Sequence, residues 1–529
     1  MSFLMEEKEI MTTLEALTAR KGFIHVVAYF AFFYEFMGND AEHLPTRNGI
    51  MLLLGLMAKH PIDTTLPSVF ESEEMKEEAL ELLHRLTHIH GLMMNELRVN
   101  YPEDYMMRAE YYVVPIFYNP PGVFDLQYID FAPKRYQKDD AWLLKHKGFE
   151  SADMAELEKF FTFFLSPSRK RFLKRLERLN AQNIQTLTFL PAFTFNKKEL
   201  GKRFSKAQVE RILNLFDAFT LDMNCGTYNG EFDSINAKNA VLETPILKVG
   251  QDYFIFDFFT LFEALYTRPF DWMIADNAYR NEAALHRGGF TESMLNRAFS
   301  NVFGSENVYQ NVEIIGRDDA GNDLDLGEID LLVLWEERAI VVQAKSQRLT
   351  DKARLGDEKS FKRDFFRAVQ KSYQQGVSCY QHLTSGRNRL QIAGEPLEIP
   401  AIDEVYLVCA VSDYFPTLSS LAEVFLRVEE GDLYPSLVSD LFFVDFLCEV
   451  IESPEQFFAY MDQRASFEGK LYQPHELYFL AAFMAGVTEA LLETPTDSPL
   501  LFETSGVELT QRFYQRYAKE GRIPDYFLE

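Results

Sequence analysis

Apolar residues recur at three- and four-residue spacing through Ile10 to Leu17, Phe23 to Met37, Ile50 to Met57 and Ala79 to Leu97. That is the period of an amphipathic helix, so residues 1–110 read as a helical N-terminal domain. Ser68 with Glu71 supplies a capping box ahead of the last of these helices, each side chain satisfying an amide that a first turn leaves unpaired. The segment Tyr111 to Tyr118, YYVVPIFY, is stopped by Asn119, Pro120 and Pro121, the pattern of an extended stretch closed by a turn. Helical spacing resumes at Met154 to Leu165, at Arg169 to Leu179 and from a Ser205 cap to Phe219, which leaves 111–242 as a mixed middle region.

From Glu243 the period changes. TPILKVGQDYFIFD predicts two short strands around a Gly-containing turn, leading into an aromatic helix through Leu265. A helix over Thr291 to Phe303 follows, then strands over Val308 to Ile315, Glu328 to Trp335 and Ala339 to Ala344. A helix over Phe361 to Leu383 and a strand over Val405 to Val411 complete the order αβββαβ, an α/β domain with a mixed sheet over 243–415. After Pro416 the pattern is mostly helical, so 416–529 forms a second helical flank.

The central strands carry the chemistry. In AIVVQAK, Ile340, Val342 and Ala344 line one face and Ala339 and Val341 the other, which is how a strand buried on both sides reads. At its end the second face switches to Gln343 and Lys345, and a buried ammonium requires partners or a ligand. The preceding run, EIDLLVL, embeds Asp330 in the same way. Oxygens that can hold a divalent ion, beside a cation that can stabilise developing charge, are what phosphodiester hydrolysis needs. The alternative is a buried Asp330–Lys345 ion pair and nothing more.

Asp330, twelve intervening residues and Gln343-Ala344-Lys345, set in the order αβββαβ, resemble the PD-(D/E)XK nuclease superfamily. The likeness is to the branch in which Gln replaces the usual acid, as in Mrr-like and nuclease-related-domain proteins. It covers roughly 285–412, and the wider stretch also resembles a group of large bacterial nuclease-like proteins. The resemblance implies a restriction-endonuclease-like core, flanked here by largely α-helical N- and C-terminal regions. It further implies metal-site roles for Glu292, Asp330 and Gln343, the lysine role for Lys345, and Mg2+ or Mn2+ as cofactor. Gln343 departs from the common acid, so metal affinity must rest more on Asp330, Glu292 and neighbouring Glu328.

The helix after this strand has Phe361, Phe365, Val369, Tyr373 and Val377 as a buried stripe. Arg363, Arg367, Gln370 and Gln374 form another line, which with Arg348 is a candidate grip on a phosphodiester backbone or else a solvated helix face. Between strand and helix, SQRLTDKARLGDEKS has the composition of a loop that closes over substrate.

Net charge alters this picture. At -27 the chain should repel nucleic acid on average, yet the acidity is uneven. Residues 1–132 sum to -11 and 401–529 to -16, whereas 133–211 sum to +9 and 345–371 to +5. The basic clusters at 169–178 and 197–206 are either solvated helix faces paired with acidic neighbours or a phosphate-binding surface. Cys225, Cys379, Cys409 and Cys448 match neither a disulfide framework nor a metal ribbon and read as reduced thiols. No apolar run reaches the roughly 18 residues of a membrane span, and the acidic start MSFLMEEKE is unlike a secretory signal. A cytoplasmic protein is expected.

Other candidates carry less. His84 and His88 share a helical face without an HExxH pattern. Asp318, Asp319, Asp323 and Asp325 around Gly321 read as a hairpin loop and not an EF-hand, and Phe160, Phe161, Phe163 and Phe164 read as core. The expectation is a Mg2+-dependent endonuclease acting on DNA in preference to RNA, in defence against foreign DNA or in nucleic-acid processing. The helical flanks would serve a homo-oligomer or a protein partner. A catalytically silent nuclease-fold scaffold, a nucleic-acid-binding subunit and an RNA nuclease are the alternatives.

Overall fold

The computed structural model describes the chain except for residues 1, 38–43, 102–121, 158–173, 175–187, 196–203, 227–228, 355–356, 416–417, 468–469, 472–474, 494–501, 503–505 and 523–529. The expected extended segment at 111–118, the Phe160 to Phe164 cluster and all of the basic clusters except Lys174 and Lys206 lie outside the described residues. Two compact units result: Met1–Tyr105 with Asp125–Ala283, and Met106–Phe124 with Ala284–Glu529.

The first unit has the expected helices at Ser2–Thr18, Phe23–Met37, Arg47–Met57 and Val69–Asn100. Ser68 and Glu71 form the predicted capping box, and Ser205 forms a second one with Gln208. Its small sheet holds β1 (Thr194–Phe195), β2 (Thr220–Asp222), β3 (Ile246–Val249) and β4 (Asp252–Phe254) in the order β1-β4-β3-β2. The hairpin expected from TPILKVGQDYFIFD is therefore present as β3 and β4, but it pairs with β1 and β2. Residues 243–283 thus belong to the same unit as the N-terminal helices, whereas the change of period at Glu243 points to the α/β domain. Two buried asparagines tie this unit together: Asn229 donates to the Gly55 carbonyl and Asn239 to that of Met51, each at 3.0 Å.

The second unit is a mixed α/β domain. Its sheet comprises β5 (Val308–Arg317), β6 (Asp323–Trp335), β7 (Arg338–Lys345), β8 (Arg389–Ile392), β9 (Glu395–Leu397), β10 (Glu404–Val411) and β11 (Leu437–Asp440). The order is β11-β10-β7-β6-β5-β8-β9. Strands β5, β6 and β7 form an antiparallel meander, while β10 runs parallel to β7 and β11 parallel to β10. The helix Arg280–Phe303 precedes β5, and a helical stretch from Glu358 to Thr384 links β7 towards β10, so the predicted αβββαβ order is observed with the β8–β9 hairpin inserted. Of the four acids around Gly321, Asp318 and Asp319 lie in the turn between β5 and β6 while Asp323 and Asp325 lie at the start of β6, and Asp318 accepts the amides of Ala320 and Asn322.

Both faces of the central strands are covered. On one, Leu332, Leu334 and Val341 pack with Phe361, Phe365, Val369, Tyr373 and Val377, the stripe that the sequence spacing predicts. Gly376 permits the close approach, since a Cβ there would lie 2.3 Å from Leu407 Cδ1. On the other face, Phe303 meets Trp335 edge-on at 6.2 Å and Tyr406 lies 5.0 Å from Phe458. The region after 416 is helical as expected, with β11 as an unforeseen edge strand. Some of its acidity is structural: buried Asp445 and Glu449 are ion-paired with Arg297, Arg516 and Arg522. Among the described residues no helix is long and apolar enough to cross a membrane.

Candidate active site at the fork of two strands

Strands β6 and β7 are paired from Trp335↔Arg338 as far as Leu331↔Val342, and the pairing stops there. The next residues, Asp330 and Gln343, therefore face a fork, and what holds the fork is side-chain chemistry. Asp330 Oδ2 accepts the backbone amide of Ala344 at 2.7 Å, satisfying a donor that has no ladder partner. Gln343 Nε2 donates to the backbone carbonyl of Glu328 at 2.8 Å and towards Cys379 Sγ at 3.5 Å. Ser372 donates to the carbonyl of Gln343 at 3.0 Å, fixing the strand against the helix above it.

The sheet is kinked at this point. Ile329 and Leu332 on β6, three residues apart, both enter the same core layer, as do Tyr309 and Val312 on β5. Strict alternation would place each pair on opposite faces. The half-turn is taken up on β5 at Asn311, a left-handed residue at φ 52, a conformation that asparagine tolerates better than most side chains. Asn311 and Asp330 fall at a step where the β5–β6 register has no pair, and the Asp330 carboxylate reaches the backbone of β7. A bulge between Ile314 and Ile315, with Gly327 at φ 137, adds a second irregularity one turn of the ladder away.

Charge is concentrated at the fork. Burial raises the Asp330 carboxyl above the ordinary aspartate range, opposed by the Ala344 amide and by Lys345. The Glu328 carboxyl is raised too, by burial first and then by Asp330, Glu313 and Asp325, again against Lys345. Burial, with help from Asp330, pushes the Cys379 thiol up to about 12, so it stays protonated and is neither a nucleophile nor a ready metal ligand. Lys345 is half-buried and acts through space on Asp330, Glu328 and Cys379. It makes no ion pair among the described residues, so the simple Asp330–Lys345 salt bridge is not what the structure forms.

The fork thus brings together Asp330, Gln343 and Lys345 of the sequence-predicted set, with Glu328 beside them. Glu292 comes from the helix Arg280–Phe303, half-buried, one turn after Gly288. Among the described residues no three His, Cys, Asp or Glu side chains gather closely enough to hold a metal ion, so Glu292 and Glu328 do not complete a carboxylate cage with Asp330. What remains is a set of hard oxygen donors, the Asp330 carboxylate and the Gln343 amide oxygen. That set suits Mg2+ or Mn2+, ions that commonly take one or two protein carboxylates and leave other positions to water and substrate phosphate.

The proposed phosphate-contacting residues separate. Arg363, Arg367 and Gln374 are exposed, and Arg348 is half-buried in the loop after β7. Gln370 is buried, its amide donating to the Arg427 carbonyl and accepting the Arg427 amide, both at 2.9 Å. The cause is a π-helical turn over Phe366–Gln370, which adds a residue and rotates the following face. Lys371 takes the exposed place in the line, and the sequence spacing missed it for that reason. The intervening loop is anchored instead of free-standing: Thr350 donates from amide and hydroxyl to Asp364 at 2.8 and 2.6 Å.

A further group at the carboxyl ends of β7 and β10 has no obvious sequence signal. Buried Arg287 donates to Ser412 Oγ at 3.0 Å and Asp413 Oδ2 at 2.7 Å, and the Ser412 amide donates to the Lys345 carbonyl at 3.1 Å. The backbone that carries Lys345 is thereby tied to the helix that carries Glu292. No protein-family model, curated protein or solved structure matches the chain.

Proposed function

We propose that this protein is a metal-dependent phosphodiester hydrolase, a nuclease acting on DNA in preference to RNA, and that its second unit is a restriction-endonuclease-like core. The observation that carries the reading is the fork itself: a carboxylate, a carboxamide and a half-buried lysine without an ion pair, converging where two central strands part.

Asp330 and Gln343 are the residues that would hold Mg2+ or Mn2+, with the Glu292 expected from the resemblance left out of the set. The ion would supply Lewis acidity to a phosphoryl oxygen. The chain's own residues account for the rest. The Ala344 amide fixes one oxygen of Asp330 and leaves Oδ1 to act. Lys345, whose backbone carbonyl accepts the Ser412 amide, would bring a positive charge to the negative charge that gathers on a pentacoordinate phosphorus centre. Arg363, Arg367 and Lys371 form an exposed cationic line on the next helix, with the neutral Gln374 beside them, suited to the backbone of a polynucleotide.

Defence against foreign DNA and nucleic-acid processing are the roles that such an activity serves. The test is incubation of the purified chain with plasmid, linear duplex, single strands and RNA, each with Mg2+ or Mn2+, beside Lys345→Ala. Cleavage that needs both the ion and Lys345 supports the reading. A wild-type chain that binds nucleic acid but cleaves none of these supports a silent nuclease-fold scaffold instead.

A further inference from the structure

Gln343 stands at the position where the wider superfamily that the chain resembles usually has an acid, and two contacts explain why an acid would not serve here. Its side chain is 1% exposed. Nε2 lies 2.8 Å from the Glu328 carbonyl oxygen, which can only accept a hydrogen bond, so the nitrogen end of the carboxamide must face it. The same nitrogen lies 3.5 Å from Cys379 Sγ, and that thiol donates to the same carbonyl at 3.4 Å. The carbonyl is thus shared by two donors from two other elements, β7 and the helix Lys371–Thr384. Gln343 Oε1 takes no hydrogen bond among the described residues and is the polar atom this side chain has left to offer.

We propose that position 343 is built for a carboxamide: Gln343 is a positioning residue that straps β6 to β7 through the Glu328 carbonyl and presents a neutral oxygen at the fork. The neutral side chain is then a requirement of the fold and not a weakened acid. An ionised glutamate in its place has the same length but no hydrogen to give, and a glutamate could donate only at the cost of staying protonated near neutral pH. The ionised form would set a buried charge against a carbonyl oxygen, beside Asp330 and Glu328, and leave that oxygen without its closest donor. What Oε1 does rests on the nuclease reading of the site; the strap does not.

The experiment compares the full chain with Gln343→Glu and Gln343→Met, reading the urea unfolding midpoint near neutral pH and Mn2+ binding by calorimetry on the same preparations. Met keeps the volume and removes the donor without adding charge. The expected order of midpoints is wild type above Met above Glu, with no gain in Mn2+ affinity in the Glu variant. A Glu variant that fails to fold while Met folds gives the same order. A Glu variant at least as stable as Met, or one that binds Mn2+ tenfold more tightly than wild type, overturns the proposal, as does failure of both variants to fold. A wild type that binds no Mn2+ and cleaves nothing counts against the nuclease reading, while the order of midpoints still decides the strap.

Discussion

Asp330 Oδ2 accepts the amide of Ala344 at 2.7 Å, at the first position where β6 no longer pairs with β7. One carboxylate therefore has two duties, closing a backbone valence and carrying charge into the fork. Substitution can separate them. Asp330→Asn keeps an acceptor for the amide and loses the charge; Asp330→Ala loses both. The Ala variant should be less stable by about 1–3 kcal/mol, the cost of an unsatisfied buried donor. The Asn variant should stay within about 1 kcal/mol of wild type and yet lose cleavage. Urea unfolding beside a cleavage assay reads both effects.

Gln370 and Lys371 are neighbours in sequence with opposite assignments. Gln370→Ala removes two hydrogen bonds to Arg427 and should cost about 1–3 kcal/mol of stability, with nucleic-acid affinity unchanged at equal folded fraction. Lys371→Ala and Arg367→Ala should leave stability alone. Each should lower the slope of log affinity against log salt by about one, which fluorescence anisotropy at several salt concentrations measures.

Much of this arrangement is legible in the sequence. The order αβββαβ, the apolar stripe from Phe361 to Val377 and the convergence of Asp330, Gln343 and Lys345 follow from period and position alone. What was not legible has physical causes. The π-turn at Phe366–Gln370 has no marker in residue type, so a line drawn at α-helical spacing picked Gln370 over Lys371. Cys379 meets Gln343 across 36 positions, a contact that local pattern cannot supply. The hairpin β3–β4 looked like the start of the α/β domain because strands resemble strands locally, and only pairing with β1 and β2 decides which sheet they join. The reach of Asp330 to the Ala344 amide, and the left-handed Asn311 on a different strand, are not visible in local spacing.

Stability should vary with pH through Asp440. This carboxylate caps the helix Leu441–Val450, accepting the Phe443 amide at 2.9 Å. Burial pushes its carboxyl up to about 7, with Asp413 adding and the amides of Phe443, Phe442 and Phe415 opposing. The folded value lies above the unfolded one, so its favourable contribution is complete below about pH 4 and is lost as pH rises through about 7. Glu449, also pushed up to about 7 chiefly by burial, acts in the same direction. The urea midpoint should fall between about pH 4 and pH 8, and Asp440→Asn, which keeps a capping oxygen, should make the fall shallower. An unchanged profile in that variant would assign the pH dependence elsewhere.

Lys345 decides the central claim, because it has no ion pair among the described residues and stands two residues past Gln343 at the fork. The direct measurement is cleavage of duplex DNA with Mg2+ or Mn2+ by wild type and by Lys345→Ala at matched folded fraction. A phosphodiester hydrolase built on this fork predicts wild-type cleavage that EDTA stops, and a loss of at least about a hundredfold in the Ala variant. Cleavage at the wild-type rate by a clean, folded Lys345→Ala preparation would contradict it.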